Sequence, residues 1–183
     1  MALLEVRDLT KHYPTFTLDR VSFDLEPGTI MGFIGRNGAG KTTTLKAIMG
    51  LVHPEGGSVR MFGQDFAENE LACKRQVGFV LGGVDYYLNK KLRSIADVTR
   101  RFYPDWDQGV YEGYLKRFDL DPNKRVKELS EGMKVKFSLA LALSHKAKLL
   151  LLDEVDIGAA DRALLCHGNS SFMIDSGCVY SFP

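Results

Sequence analysis

The chain has 183 residues, of which 45% are hydrophobic and 26% charged, as is ordinary for a globular domain with its own core. Its formal net charge is +1, so composition gives no sign of a nucleic-acid partner. The longest apolar runs, 139–143 and 149–152, fall far short of the roughly 20 residues of a membrane-spanning helix. The first seven residues lack a signal-peptide pattern, and three widely spaced cysteines without metal-ligand spacing predict reduced thiols in the cytosol.

The N-terminal residues predict an antiparallel edge sheet. Apolar and polar residues alternate in parts of 4–13 and 17–26, and Pro27-Gly28 supplies a turn. The apolar run 29–35 is of the buried-strand type, and 43–52 is helical up to Gly50. Further strands are predicted at 57–63 and 76–81.

From about Tyr86 the pattern becomes helical, and 147–154 then predicts a strand buried on both faces. Apolar and aromatic residues recur at helical spacing in three stripes, which we expect to be core: Leu92, Ile95, Ala96, Thr99 and Phe102; Tyr111, Tyr114, Leu115 and Phe118; Phe137, Ala140, Leu141 and Ser144.

Residues 35–42, GRNGAGKT, fit the pattern G-x-x-x-x-G-K-[ST] of a phosphate-binding loop. Glycines let successive backbone N–H groups converge on an anion, and the helix that follows adds the positive end of its dipole. Lys41 is expected to reach the β- and γ-phosphates and Thr42 to ligate Mg²⁺. The alternative is a chance glycine-rich turn, but a strand before the pattern and a helix after it favour the phosphate loop. The candidate nucleotide-binding residues here are Gly35, Asn37, Gly38, Ala39, Gly40, Lys41, Thr42 and Thr43.

Two carboxylates end the strand 149–152. We expect this strand to lie beside the one that feeds the phosphate loop, so that Asp153 at its carboxyl end points at the Mg²⁺ shell. Glu154 is then placed to orient or deprotonate the attacking water, so we expect Glu154 and Lys41 to be catalytic. The alternative is a polar strand end without chemistry.

With ELSEGMKVKFSLALALSHKAK before that strand, the chain from about residue 4 to 154 resembles an ATP-binding-cassette (ABC) ATPase, the nucleotide-binding subunit of an ABC transporter. The resemblance implies an α/β fold: a P-loop NTPase core with an antiparallel edge sheet and a helical subdomain. It also implies ATP and Mg²⁺ as cofactors, a second ATP-binding subunit in a head-to-tail dimer, and separate transmembrane permease subunits. The expected location is cytoplasmic, peripheral on the inner face of the cell membrane. Residues 82–107, with their short helical insert, look most like those of bacterial subunits that serve export, so the resemblance favours export.

The resemblance assigns further roles. Tyr13 matches the aromatic residue that stacks on adenine, unless it is a plain core or edge-strand tyrosine. Residues 129–133, LSEGM, match the signature motif that closes over the γ-phosphate held by the other subunit. In it, Ser130 offers a hydroxyl and Gly132 leaves room for backbone amides; the alternative is a simple helix N-cap.

The sequence also departs from the family pattern. Glu131 and Met133 replace the usual glycine and glutamine of the signature, and a carboxylate there repels phosphate unless it turns away. Gly82 stands where a glutamine is expected to touch Mg²⁺ and sense the membrane partner, which puts metal sensing by that loop in doubt while the docking surface around it can survive.

After Glu154 the family continues with a Gly-Leu-Asp loop, two core strands and a histidine at the γ-phosphate. Here 155–183 depart from that pattern, and His167 lies too close to Glu154 for that role. We therefore expect residues from about 155 onward to be out of frame or foreign to the fold, and the C-terminal part of the core to be missing. The central sheet should then expose an apolar edge, and hydrolysis should be poor or absent.

The resulting division is a core with the edge sheet at 1–86, a helical subdomain at 87–145, a strand with the metal carboxylate at 146–154, and a divergent tail at 155–183. Two other functions stay open at this point: a non-catalytic ATP-binding or regulatory fragment, and an ABC ATPase without a transport role.

Overall fold

The structure, a computed structural model, describes residues 1–81 and 87–153 together with the backbone of 178–181. Its strands are β1 (Leu4–Tyr13), β2 (Phe16–Leu25), β3 (Ile30–Gly32), β4 (Gly56–Met61), β5 (Gln64–Asp65), β6 (Val77–Leu81), β7 (Leu149–Asp153) and β8 (Cys178–Ser181). Its helices are α1 (Lys41–Ile48), α2 (Glu70–Lys74), α3 (Leu92–Thr99), α4 (Gln108–Arg117) and α5 (Glu131–Leu143), with a 3-10 helix at Val126–Glu128. Within these residues no helix combines the length and hydropathy that a bilayer crossing requires.

The predicted antiparallel sheet is confirmed. Its strand order is β2-β1-β4-β5, and β1 pairs with β2 from Leu4 opposite Leu25 to Tyr13 opposite Phe16. Alternate side chains of the hairpin turn inward, so Leu4 and Leu25 are buried whereas Asp24 is exposed. The hairpin therefore carries its two terminal aromatic rings, Tyr13 and Phe16, side by side at one end.

The second sheet has the order β3-β8-β7-β6, in which β6 and β7 are parallel and β8 runs antiparallel to both of its neighbours. The expectation that β7 lies directly beside β3 is therefore wrong, because β8 lies between them. The expectation that everything after 155 is foreign to the fold is wrong for Cys178–Ser181, whose backbone hydrogen bonds cover the edge that β7 otherwise exposes. Strand β3 spans three residues and is half-buried rather than buried, and Phe33 and Ile34 lie beyond its end.

Strand β7 is buried along its whole length, as predicted for a strand covered on both faces. Leu149 and Leu151 pack into one core with α1 and the antiparallel sheet, whereas Leu150 and Leu152 pack into a second core with α3, α4 and α5. This alternation follows from the two-residue period of a strand. Strand β7 therefore packs on one face against α3, α4 and α5, which we call the helical block, and on the other face against α1, the helix that follows residues 35–40.

The three predicted helices exist, and most of their stripes are core. Tyr111, Phe118 and Phe137 are 3–5% exposed. Phe102 is an exception at 66% exposed, because α3 ends at Thr99 and the helical spacing that would have turned Phe102 inward ends with it.

Candidate functional site

The phosphate loop lies between β3 and α1, and its glycines adopt conformations that other residues avoid. Gly38 has φ 83° and Gly40 has φ 92°. A Cβ on Gly40 would stand 2.6 Å from Cζ of Phe16, so the hairpin end packs directly on the loop. A Cβ on Gly35 would meet the Cβ of Ala39 at 3.2 Å. Gly35 and Ala39 thus shape the loop, and neither lines the cleft of about 310 Å³ that opens over it.

Helix α1 begins at the end of this loop. Its N-cap residue is Gly40, which has no side chain to accept a hydrogen bond from the N–H groups of the first turn. The N–H groups and the positive end of the helix dipole therefore face the loop, which is the geometry that suits an anion.

Lys41 lies across the loop. Its Nζ donates hydrogen bonds to the carbonyl oxygens of Gly35 at 2.6 Å and Arg36 at 3.0 Å. The ammonium is thereby held in the mouth of the loop, and the carbonyls it contacts face the same concavity.

Thr42 and Asp153 meet although they are 111 positions apart in the chain. The Thr42 hydroxyl donates to Oδ1 of Asp153 at 2.9 Å. Asp153 ends β7 and is 4% exposed. Because β3 and β7 run in the same direction on either side of β8, the carboxyl ends of both strands lie at the same edge of the sheet.

A hydroxyl and a carboxylate oxygen at this distance fit Mg²⁺. The described residues contain no cluster of three or more His, Cys, Asp or Glu that could hold a metal by itself. Mg²⁺ does not need such a cluster, since it keeps waters and takes its remaining oxygens from substrate phosphates.

A cleft of about 310 Å³ opens over the loop. It is lined by Tyr13, Phe16, Asn37, Gly38, Gly40, Lys41, Thr42 and Thr43. Tyr13 is 39% exposed, and its ring stacks against that of Phe16 with centroids 6.3 Å apart. The structure thus brings an exposed aromatic face to the same cleft as the phosphate loop.

The signature residues lie at the start of α5, outside the lining of that cleft. The Ser130 hydroxyl accepts a hydrogen bond from the Met133 N–H at 3.3 Å and so caps the helix, while Ser130 and Gly132 are both exposed. The Glu131 carboxylate forms an ion pair with Lys134 at 2.7 Å. The sequence departure at Glu131 is therefore partly neutralised by a residue of the same helix.

An apolar groove of about 380 Å³ runs between β6 and the helical block, a feature that the sequence analysis did not locate. Its walls include Phe79, Tyr87, Tyr103 and Phe137. His145, which follows the C-cap residue of α5, also lines it and stacks on Tyr103 with ring centroids 3.9 Å apart.

The predicted catalytic residue Glu154 lies outside the described residues, as do Gly82, where the sequence departs from the family pattern, and His167, to which no role was assigned. Phe16, by contrast, was missed by the sequence analysis. The signal was present, because a hairpin with Tyr13 at the end of its first strand places the first residue of the second strand directly opposite.

Comparison with known proteins places the chain in a family. Residues 18–156, well over half of the chain, match the model of the ABC transporter family. The chain therefore belongs to the ABC transporter family, as an ATP-binding subunit. The match ends at 156, shortly after Asp153.

Among its relatives is the bacitracin transport ATP-binding protein BcrA of Bacillus licheniformis, 32% identical over 155 residues, covering 83% of this chain and 51% of the relative. The Nod factor export ATP-binding protein I of Burkholderia thailandensis is 31% identical over 169 residues, covering 89% and 56%. A solved ATP-binding subunit of an ABC transporter superposes with a TM-score of 0.77 at 30% identity, over 89% of this chain and 72% of that one. The chain thus spans about half the length of these two relatives.

Proposed function

We propose that this chain binds ATP with Mg²⁺ in the cleft above residues 35–42 and supplies the ATP-binding function of a transporter. The observation that carries the proposal is the 2.9 Å contact between Thr42, at the end of the phosphate loop, and the buried Asp153 at the end of β7. Lys41 lies next to Thr42 in the same motif. Family membership supports ATP as the nucleotide.

Each group in the cleft has a role in this proposal. The loop amides from Gly38 to Thr43 hold the phosphates, and Lys41 exchanges its two carbonyl contacts for phosphate oxygens. The base stacks on the exposed face of Tyr13. Thr42 and Asp153 hold Mg²⁺, which when bound neutralises charge on the phosphates. Glu154 follows Asp153 directly in the sequence and orients the attacking water.

Binding is tested by isothermal titration calorimetry with Mg²⁺ and ATP. Lys41→Ala should weaken binding at least tenfold, since a charge-assisted contact to phosphate is worth about 1.5–3 kcal/mol. Lys46→Ala is the matched control, because Lys46 lies in the last turn of the same helix and does not line the cleft. Equal losses in both variants would contradict the proposed site.

The exposed signature residues support a two-subunit site. Ser130 and Gly132 do not line the cleft of their own chain, yet both are exposed at a helix N-terminus that suits a phosphate. We propose that they contact the nucleotide of a second ATP-binding subunit in a head-to-tail dimer. Analytical ultracentrifugation of Glu154→Gln with and without Mg²⁺ and ATP tests this, and a monomer under both conditions would refute it.

The transport role needs membrane subunits on other chains, and the apolar groove between β6 and the helical block is the surface we propose for them. Its exposed residue Tyr87, 69% exposed, offers a large aromatic contact beside the buried wall. Tyr87→Glu should reduce co-purification with the membrane proteins encoded beside its gene, whereas Leu71→Glu should not. Leu71 is 66% exposed but lies on α2, outside the groove.

Export is the direction we propose for the transported solute. It accords with the name of one relative, the Nod factor export ATP-binding protein I. Transport of a labelled solute into inside-out vesicles that contain the membrane subunits tests it; uptake only in right-side-out vesicles would mean import.

A non-catalytic ATP-binding role is the second candidate. It is favoured by Gly82, which has no side chain to ligate a metal, and by a family match that ends at 156. Turnover of ATP by the wild type and by Glu154→Gln separates the two, because equal rates in both would leave binding without intrinsic catalysis.

A further inference from the structure

Lys11 and Tyr13 lie two residues apart on β1, so their side chains leave the same face of the strand. Nζ of Lys11 lies 5.8 Å from the centroid of the Tyr13 ring, within the range of a cation–π contact. Lys11 itself does not line the nucleotide cleft, whereas Tyr13 does. The tyrosine is therefore the cleft residue through which Lys11 can act on a bound base.

Glu55 holds Lys11 in this position. Nζ of Lys11 donates to Oε1 of Glu55 at 2.8 Å, and Nδ1 of His12 lies 2.5 Å from Oε2. The Glu55 N–H donates to the Thr10 carbonyl at 2.8 Å, so the carboxylate is anchored to β1 by its own backbone. The hydrogen bonds from Lys11 and His12 lower the pKa of Glu55 to about 2, so the carboxylate is ionised at every working pH. The Lys11 side chain is 23% exposed.

Phe16 supports the tyrosine ring from the neighbouring strand. Its ring lies opposite Tyr13 in the hairpin, and it also packs where a Cβ of Gly40 would stand. The Tyr13 ring therefore contacts Phe16, which packs on the phosphate loop, and Lys11, which Glu55 holds on the sheet. The 39% of Tyr13 that remains exposed is the part available to a base.

We propose that Lys11, anchored by Glu55, is a positioning residue that sets the Tyr13 ring for stacking of the nucleotide base. The inference rests on the proposed ATP site. It says which part of the ligand depends on Lys11: the base, which stacks on Tyr13, and not the phosphates, which the loop holds. A cation–π contact of this kind is worth about a two- to fivefold change in affinity.

The test compares ATP with inorganic tripolyphosphate, both with Mg²⁺, by calorimetry on the full chain. Lys11→Met keeps the apolar stem and removes the charge, and it should weaken ATP two- to fivefold while leaving tripolyphosphate unchanged. Lys11→Arg keeps a cation for both Glu55 and the ring, and it should restore the ATP affinity. In a Tyr13→Ala background, Lys11→Met should have no further effect on ATP.

The possible outcomes distinguish a failure of this inference from a failure of the proposed ATP-binding function on which it rests. Suppose that Lys11→Met weakens the binding of both ligands equally, or still weakens ATP binding in the Tyr13→Ala background. Lys11 then acts on sheet stability or on phosphate, which refutes this inference but leaves the proposed ATP site standing. Glu55→Gln checks the same point without touching the lysine, and it should weaken ATP in the same direction. A wild-type chain that binds neither ligand would overturn the proposed function and this inference with it.

Discussion

Mild acid should destabilise this fold through His145. The residue is 3% exposed, its ring is stacked on Tyr103 at 3.9 Å, and its Nδ1 has no hydrogen-bond partner among the residues that the structure describes. A neutral imidazole tolerates these surroundings, but an imidazolium has to lose most of its hydration there. The group must therefore stay neutral for the helical block to remain packed on β6.

The sign and size follow from the pKa. Burial lowers the pKa of His145 from 6.5 to about 4, against smaller opposing contributions from the backbone of His145 and Arg75 and from the charge of Asp105. The unfolded chain therefore takes up a proton near pH 6.5, whereas the folded chain resists it until about pH 4. Stability is complete above pH 6.5 and falls as the pH drops through this window. The full effect is about 3 kcal/mol, of which about 2 kcal/mol is lost between pH 7 and pH 5.

Urea denaturation at pH 7 and pH 5 measures this effect in the wild type and in His145→Phe, which keeps an aromatic ring on Tyr103 but has no proton to bind. The free energy of unfolding of the wild type should fall by about 2 kcal/mol more than that of the variant. Glu55, whose pKa is lowered to about 2, is present in both proteins, so its contribution to the pH dependence cancels when the two are compared. Equal losses in both proteins would refute the reasoning.

Two further predictions concern backbone and cap. Gly40→Ala should cost about 1–3 kcal/mol and weaken ATP binding, since φ is 92° and the new Cβ would meet Phe16 at 2.6 Å. Gly28→Ala is its control, with φ 74° but no atom within 4 Å of a Cβ, so it should cost less in thermal denaturation; an equal cost would mean that the contact with Phe16 is irrelevant. Ser130→Ala should lower stability by about 1 kcal/mol, because the Met133 N–H loses its acceptor, and unchanged denaturation would show that the cap contributes nothing.

Local patterns predicted the elements of this fold well. The alternation before Pro27, the helical stripes and the apolar run of β7 each reflect which side chains of a segment are buried. Such a pattern can be recognised from the residues of that segment alone. Strand order is a different kind of information. The insertion of Cys178–Ser181 between β3 and β7 joins segments far apart in the chain, and no local period reports such a pairing.

The candidate site divides in the same way. Lys41, Thr42 and Asp153 are recognisable because phosphate and Mg²⁺ impose residue types at fixed spacing. No such fixed spacing links Lys11 to Glu55, which are 44 positions apart in the chain. They meet because β1 pairs with β4, and Glu55 is the residue just before β4. Only the register of the sheet brings that pair to the tyrosine.

The metal position depends on packing more than on strand adjacency. Neighbouring strands lie about 4.8 Å apart, so β8 keeps β3 and β7 roughly 10 Å from each other, too far for direct contact between their ends. Helix α1 closes this gap. Leu45 and Ile48 of α1 share a core with Leu149 and Leu151 of β7, and this burial sets the first turn of α1 over the end of β7. The Thr42 hydroxyl reaches Asp153 because the helix that carries it lies on that strand, so the oxygen pair that suits Mg²⁺ is a consequence of the same apolar contacts that hold the fold together.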